Sequence, residues 1–314
     1  MSADEGEFTT DLASRLAGRG PMPFRDYMAE ALYADELGYY TRRDLRRRGD
    51  RPTSRPGFVA DLVEPVAQAF VSFAEHHPPR LVDHGPGAGL LVRYLLGSLP
   101  ERIRADVDVT FVEPRLARRT RLLVLLQEFG VDGRVVSAPR DAEPGPAFVV
   151  ARELLGSFPV HWLERTGEGW REIHVDAPGD TWTPKERLED APPQLTRFVD
   201  DHLPEVPVGH RYEVNLHLRR WLAQLQGVVD PGLVYVLDRP IERPPSPEGS
   251  IRAVREGETV DVYEAPGITD ISSGVDLDVL VSQAEKAGFV DATADTVGSE
   301  GGRGPLAARV LRTR

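Results

Sequence analysis

A chain of 314 residues with 40% hydrophobic side chains can bury a substantial core and hold one large domain, or a domain with a sizeable insertion. Its net charge of −12 argues against broad nucleic-acid binding, which draws its affinity from neutralised phosphates, and no apolar run approaches the roughly 18 residues of a membrane span. The lack of cysteine excludes disulfides and thiol catalysis, and eight scattered histidines show no metal-ligand spacing, so no metal is expected.

The opening Met1-Ser-Ala-Asp-Glu-Gly-Glu7 has no basic-plus-apolar leader, so a cytoplasmic location is expected. Lysine occurs only at Lys185 and Lys286 among many arginines, a codon bias typical of a GC-rich bacterial genome. Phe24, Tyr27, Met28, Ala31 and Leu32 fall on one helical face, which predicts an amphipathic helix beginning near Pro23. Gly38-Tyr39-Tyr40-Thr41 follows, then a basic segment from Arg42 to Arg55. The six arginines between Arg42 and Arg51 read either as a docking patch for an anionic partner, such as a phosphorylated carrier or acidic peptide, or as a solvated loop. A second apolar helix is predicted around Phe58 to Ala74, with Pro65 kinking or dividing it.

From Leu81 onward, strands near 81–83, 107–113, 134–137, 147–151 and 232–238 alternate with helices near 88–98, 115–128 and 214–227, the βαβ pattern of a doubly wound parallel sheet. On the helix after Glu113, Leu116, Thr120, Leu122, Leu123 and Leu126 are assigned to core packing. The stretch between 151 and 214 is too long for one crossover and reads as an insertion, at about 162–210, that shapes an acceptor pocket. Phe289 to Val297 and Ala307 to Arg312, flanking a glycine-rich turn, predict an antiparallel hairpin at a sheet edge. The expected organisation is an N-terminal helical or lid region over 1–78 and a Rossmann-like domain over 79–314.

Asp83-His-Gly85-Pro-Gly87-Ala-Gly89 follows the apolar Leu81-Val82 and opens into a helical run, as a nucleotide-cofactor loop does. Glycines let the backbone turn sharply, and the helix N-terminus presents free N–H groups. A dinucleotide fingerprint needs G-x-G-x-x-G, but the glycines here run G-x-G-x-G and Leu90 stands at the sixth position, which favours S-adenosylmethionine over NAD. Glu113 lies about 24 residues past Gly89, at the end of a β-branched strand, where an acid can accept both ribose hydroxyls. Asp83 is placed beside the methionine amino group.

Gly20 through Tyr40, Gly49-Asp50 with Thr53-Ser54, Val82 through Gly89, Phe111-Val-Glu113, Ala151-Arg-Glu153 through Val160, and Ile251-Arg-Ala253 with Asp270-Ile271 and Val275-Asp276 together resemble the motifs of MidA-like methyltransferases. That family includes the arginine methyltransferase known as a mitochondrial complex I assembly factor. The resemblance implies a class I methyltransferase fold, α/β with a Rossmann-like sheet and a C-terminal antiparallel hairpin, and Tyr39 and Tyr40 closing over the methyl-transfer site. Departures from the pattern fall on acceptor-side groups: Ala88 replaces a loop arginine, Arg152 an asparagine, Gly156 an aspartate and Gly274 a histidine, and Arg239 stands where the family has tyrosine. Arg55-Pro56-Gly57 stands where the family carries an acid.

These residues point to a methyltransferase acting on a nitrogen or oxygen of a small molecule or peptide, in a bacterial biosynthetic pathway. Protein arginine methylation and a catalytically silent scaffold are the alternatives. The candidate cofactor residues are Asp83, Gly85, Gly87, Gly89 and Glu113. On the acceptor side the candidates are Glu153, His161, Tyr39 and Tyr40, for which capping or packing are the competing roles. Nothing in the sequence specifies an oligomeric state.

Overall fold

The computed structural model describes residues 11–13, 20–41, 56–177, 182–203, 205–294 and 306–314, and the side chains of all of these except 56–61. The basic segment Arg42 to Arg51 lies outside the described residues. The chain divides into two compact units.

The first unit comprises Asp50–Leu155, Leu218–Pro240 and Val275–Arg314. Its sheet strands are β1 (Arg80–His84), β2 (Asp108–Val112), β3 (Asp132–Val136), β4 (Gly145–Arg152), β5 (Val229–Asp238), β6 (Phe289–Asp291) and β7 (Ala307–Thr313). They lie in the order β6-β7-β5-β4-β1-β2-β3. β3, β2, β1, β4 and β5 run parallel, whereas β7 is antiparallel to both β5 and β6. The expected doubly wound sheet and its terminal hairpin are therefore present, the first hairpin strand ending at Asp291.

β4 lies between β1 and β5 and is buried along consecutive residues, Ala147 to Ala151 all being inaccessible, as befits a strand covered on both faces. The helices are α1 (Pro56–Ala74), α2 (Leu90–Ser98), α3 (Leu116–Phe129), α4 (His217–Gln226) and α5 (Leu277–Lys286). α1 continues through Pro65 without dividing and buries Val66, Phe70 and Phe73. Phe70 and Phe73 pack their rings against Phe148 at centroid distances of 5.5 and 6.1 Å, and Tyr235 stands 6.1 Å from it. On α3 only Leu122 and Leu126 are buried. Leu116 is 76% exposed and Leu123 46% exposed, and Thr120 is exposed as well, which corrects the assignment of all three to the core. α3 covers the edge strand β3, so its outer face has no second layer to pack against.

The second unit comprises Met1–Gly49, Gly156–His217 and Ile241–Gly274, so it gathers three stretches of chain. This division differs from a lid over 1–78 with an insertion over 162–210: α1 belongs with the first unit because it packs on α2, and residues 241–274 join the inserted segment. An antiparallel sheet runs Met22–Pro23, Gly169–Asp176, His161–Thr166, Arg211–Val214, and Lys185–Asp190 also pairs with Gly169–Asp176. The helix Phe24–Tyr33 buries Phe24, Tyr27, Met28, Ala31 and Leu32, as its periodicity requires, against Val160, Trp162, Ile173 and Val175. Leu163, Trp170, Tyr212 and Val214 form a separate core with Leu195 and Val199 of the helix Pro193–His202.

Phe148 is fully buried at the centre of the parallel sheet. Replacing it by alanine is expected to destabilise the protein by about 3–5 kcal/mol, and by leucine by no more than about 1.5 kcal/mol. Urea unfolding monitored by circular dichroism reads the difference.

Candidate functional site

Strand order reverses between β1 and β4, and open parallel sheets bind ligands outside the carboxyl ends of the strands at such a point. Asp83 and His84 on β1 stand in register with Val150 and Ala151 of β4, which brings Arg152 and Glu153 level with the start of the glycine loop. Asp83 is 2% exposed, and its Oδ2 has no hydrogen-bond partner among the described residues. Burial pushes its carboxyl up to about 7, against the pull of the Arg152 guanidinium.

The three loop glycines have distinct tasks. All adopt positive φ, +76° at Gly85, +55° at Gly87 and +73° at Gly89. A Cβ on Gly85 would lie 2.9 Å from Leu154 Cδ1, and one on Gly89 would lie 2.3 Å from Leu125 Cδ2. These two therefore permit close packing as well as the turn. A Cβ on Gly87 would meet nothing within 4 Å, so Gly87 faces open space, where a ligand can approach the backbone. Gly89 is the N-cap of α2, whose first amides follow directly.

Glu113 follows β2, with its N–H donating to Val136 O at 2.9 Å. It is 4% exposed; burial raises its pKa, while the Arg115 N–H, donating to Oε1 at 2.9 Å, and the Arg118 guanidinium, 4.0 Å from Oε2, act in the opposite sense. Arg119 donates to the main-chain carbonyls of Glu113 and Pro114, at 2.8 and 2.7 Å, which secures the turn into α3.

At the end of β4, Glu153 adopts φ +50°, a left-handed conformation that costs a non-glycine residue about 1–2 kcal/mol. Its N–H donates to Leu237 O at 2.8 Å, and its Oε2 accepts a short charge-assisted bond from Arg152 Nη1. Three residues at this end escaped sequence reasoning as structural groups. Asp238, 3% exposed, accepts from the Leu155 N–H at 2.8 Å and the Arg239 N–H at 3.0 Å, which ties the ends of β4 and β5 together. The same strand-end logic that singled out Glu113 would have found it. Trp221 Nε1–H donates to His84 Nδ1 at 2.8 Å, and burial lowers His84 to about 4, so the ring is neutral with its proton on Nε2.

Tyr39, Tyr40 and His161 lie in the second unit, so of the four acceptor-side candidates the cofactor unit holds Glu153 alone. Tyr40 donates to Asp270 Oδ1 at 3.1 Å and packs against Tyr33 and Tyr39, at 5.5 and 5.0 Å between ring centroids. His161 Nδ1 lies 2.6 Å from Glu172 Oε1, and the second oxygen of that buried carboxylate is 3.6 Å from His174 Nε2. Among the described residues no group of histidines and acids could hold a metal ion, and no helix is long and apolar enough to cross a membrane.

The loop and its acids fit a nucleoside cofactor with a cationic amino group. The fit rests on a buried, unsatisfied carboxylate oxygen, open space at Gly87 and a second buried acid at the end of the next strand. A family model described as "putative S-adenosyl-L-methionine-dependent methyltransferase" matches residues 62–294. The chain is 24% identical to the mitochondrial protein arginine methyltransferase NDUFAF7 of Danio rerio, an alignment covering 87% of this chain and 71% of that protein. Two crystal structures from Burkholderia thailandensis share the fold. An uncharacterized protein superimposes with a TM-score of 0.78 at 16% identity, covering 99% of this chain and 92% of that one. The second structure, of a superfamily member bound to S-adenosyl-homocysteine, superimposes with a TM-score of 0.74 at 18% identity and the same coverage.

Because its pKa in the folded state lies above that of an unfolded aspartate, Asp83 contributes stability that is lost as pH rises from about 4 to about 7. Asp83→Asn removes that loss. The ligand-free variant is expected to be more stable than the parent at pH 8 by a few kcal/mol, since each pH unit between the folded and unfolded pKa is worth about 1.4 kcal/mol, and to lose most of this advantage at pH 4. Thermal unfolding of both proteins at the two pH values measures it.

Proposed function

The chain belongs to the family of S-adenosyl-L-methionine-dependent methyltransferases, and from that premise we propose that it methylates a nitrogen or oxygen of a small molecule or peptide. S-adenosylmethionine supplies an electrophilic sulfonium methyl that needs no further activation. The protein's task is to hold the cofactor and align a nucleophile, and alignment alone can lower a barrier by roughly 7–11 kcal/mol.

In this reading Asp83 receives the amino group of the cofactor, the backbone at Gly87 allows its close approach, and Glu113 accepts the ribose hydroxyls. The unsatisfied Asp83 oxygen and the open face of Gly87 support these roles. Glu153 is the group that orients the acceptor or takes its proton when the nucleophile is a hydroxyl or an ammonium.

The ion pair between Arg152 and Glu153 carries the choice of acceptor. A guanidinium substrate needs a carboxylate to pair with and orient it, and this carboxylate already holds an internal guanidinium. That favours a small molecule or an uncharged peptide group, in keeping with a biosynthetic role in a bacterial cytoplasm. The second reading, protein arginine methylation, draws on the likeness to NDUFAF7. Incubation of the protein with methyl-labelled cofactor and a bacterial lysate separates the two. Label in the small-molecule or peptide fraction supports the first, whereas label on arginine in protein supports the second.

Calorimetric titration is expected to give micromolar binding of S-adenosylmethionine and S-adenosylhomocysteine and none of NAD. Gly87→Ala should cost about 1–2 kcal/mol of stability, from its left-handed conformation alone, yet weaken cofactor binding at least tenfold. Wild-type affinity in that variant would displace the cofactor from this loop. Glu113→Ala is expected to lower cofactor affinity and activity together.

A further inference from the structure

Arg152 stands one residue beyond the His84–Ala151 pair in the parallel register, at the strand end beside Asp83. Its side chain is 16% exposed, and its guanidinium is bonded to Glu153, whose own backbone is held in the left-handed conformation by the bond to Leu237 O. The other charged groups around Asp83 have different engagements. Glu113, beyond β2, faces Arg115, Arg118 and Arg119; Asp238 on β5 accepts two main-chain N–H groups; His84 is neutral against Trp221. Arg152 is the cation whose field acts on the Asp83 carboxyl.

We propose that Arg152 is a positioning residue for the cofactor: anchored by Glu153, it serves as the nearby cation that favours the charged form of Asp83, the form that receives the cofactor's ammonium group. A buried acid next to a loop of neutral backbone holds its proton, and a protonated acid offers that ammonium no charge. Glu153 prevents the guanidinium from occupying Asp83 itself, so the Asp83 oxygen stays open to the ligand while still feeling the cation's field. The inference rests on the placement of the cofactor's amino group at Asp83. It gives a physical reason for an arginine at a position where the MidA-like pattern carries an asparagine, because a neutral side chain would leave Asp83 without a counter-ion.

The test is calorimetric titration with S-adenosylhomocysteine between pH 5.5 and 8, on the parent protein and on Arg152→Asn, Arg152→Lys and Asp83→Asn. Affinity in the parent is expected to rise with pH up to a midpoint set by Asp83 and then level off. A neighbouring cation lowers an acid's pKa by about 1–3 pH units, so Arg152→Asn should move that midpoint to a pH higher by about 1 and weaken binding up to about tenfold below it. Arg152→Lys should restore the parent's midpoint, and Asp83→Asn should flatten the profile. An Arg152→Asn protein whose affinity falls equally at every pH, or does not fall, overturns the proposal while leaving the cofactor site intact. A parent profile that Asp83→Asn does not alter overturns the placement of the amino group at Asp83.

Discussion

A carboxyl group buried at the end of a central strand with one oxygen unsatisfied is the constraint around which this end of the sheet is organised. An isolated ionised carboxylate in a protein interior costs several kcal/mol, so such a group either keeps its proton or finds a cation. Asp83 does neither fully: burial pushes it up to about 7, and Arg152 pulls it back from the next strand. The arrangement leaves one carboxylate oxygen open within a buried site, which is where a cationic ligand would bring relief.

The remaining strand ends show how unusual Asp83 is. Each of the strands β1, β2, β4 and β5 ends at or beside an acid, and three of those acids are compensated from within the protein. Glu113 has a main-chain N–H and nearby arginines, Glu153 has Arg152, and Asp238 has two main-chain N–H groups. These bonds also fix the geometry, since Asp238 holds the turn after β4 and Arg119 holds the turn after β2. Asp83 is thus set apart by what surrounds its neighbours. Its unsatisfied oxygen, the open face of Gly87 and the strand-order reversal coincide at one place.

Much of this was legible in the residues. The glycine loop announces itself because positive φ at three closely spaced positions is open to few other residues. The helix Phe24–Tyr33 follows from a periodicity that its neighbours honour, with every residue of the apolar stripe buried. Periodicity failed on α3, where Leu116 and Leu123 look like core positions but lie on a helix beside the edge strand. The antiparallel sheet of the second unit reads in the sequence only as an insertion, although Thr166-Gly-Glu-Gly169 is the turn between two of its strands. Its assembly from three separated stretches is not legible there, because local pattern carries no information about which distant segment completes a sheet.

What the sequence by itself determined is therefore the chemistry that backbone geometry imposes locally: a parallel sheet, a tight glycine loop feeding a helix, and an acid at the next strand end. Each depends on residues near one another in the chain, so spacing suffices to read it. Only the tertiary structure decided which glycine faces open space and which face Leu154 and Leu125, that Asp238 closes the ends of β4 and β5, and that Arg152 is shared between Glu153 and the field at Asp83. Those outcomes depend on burial and on distances between strands far apart in sequence. A side chain's charge and hydrogen-bonding state are set by what folding brings beside it.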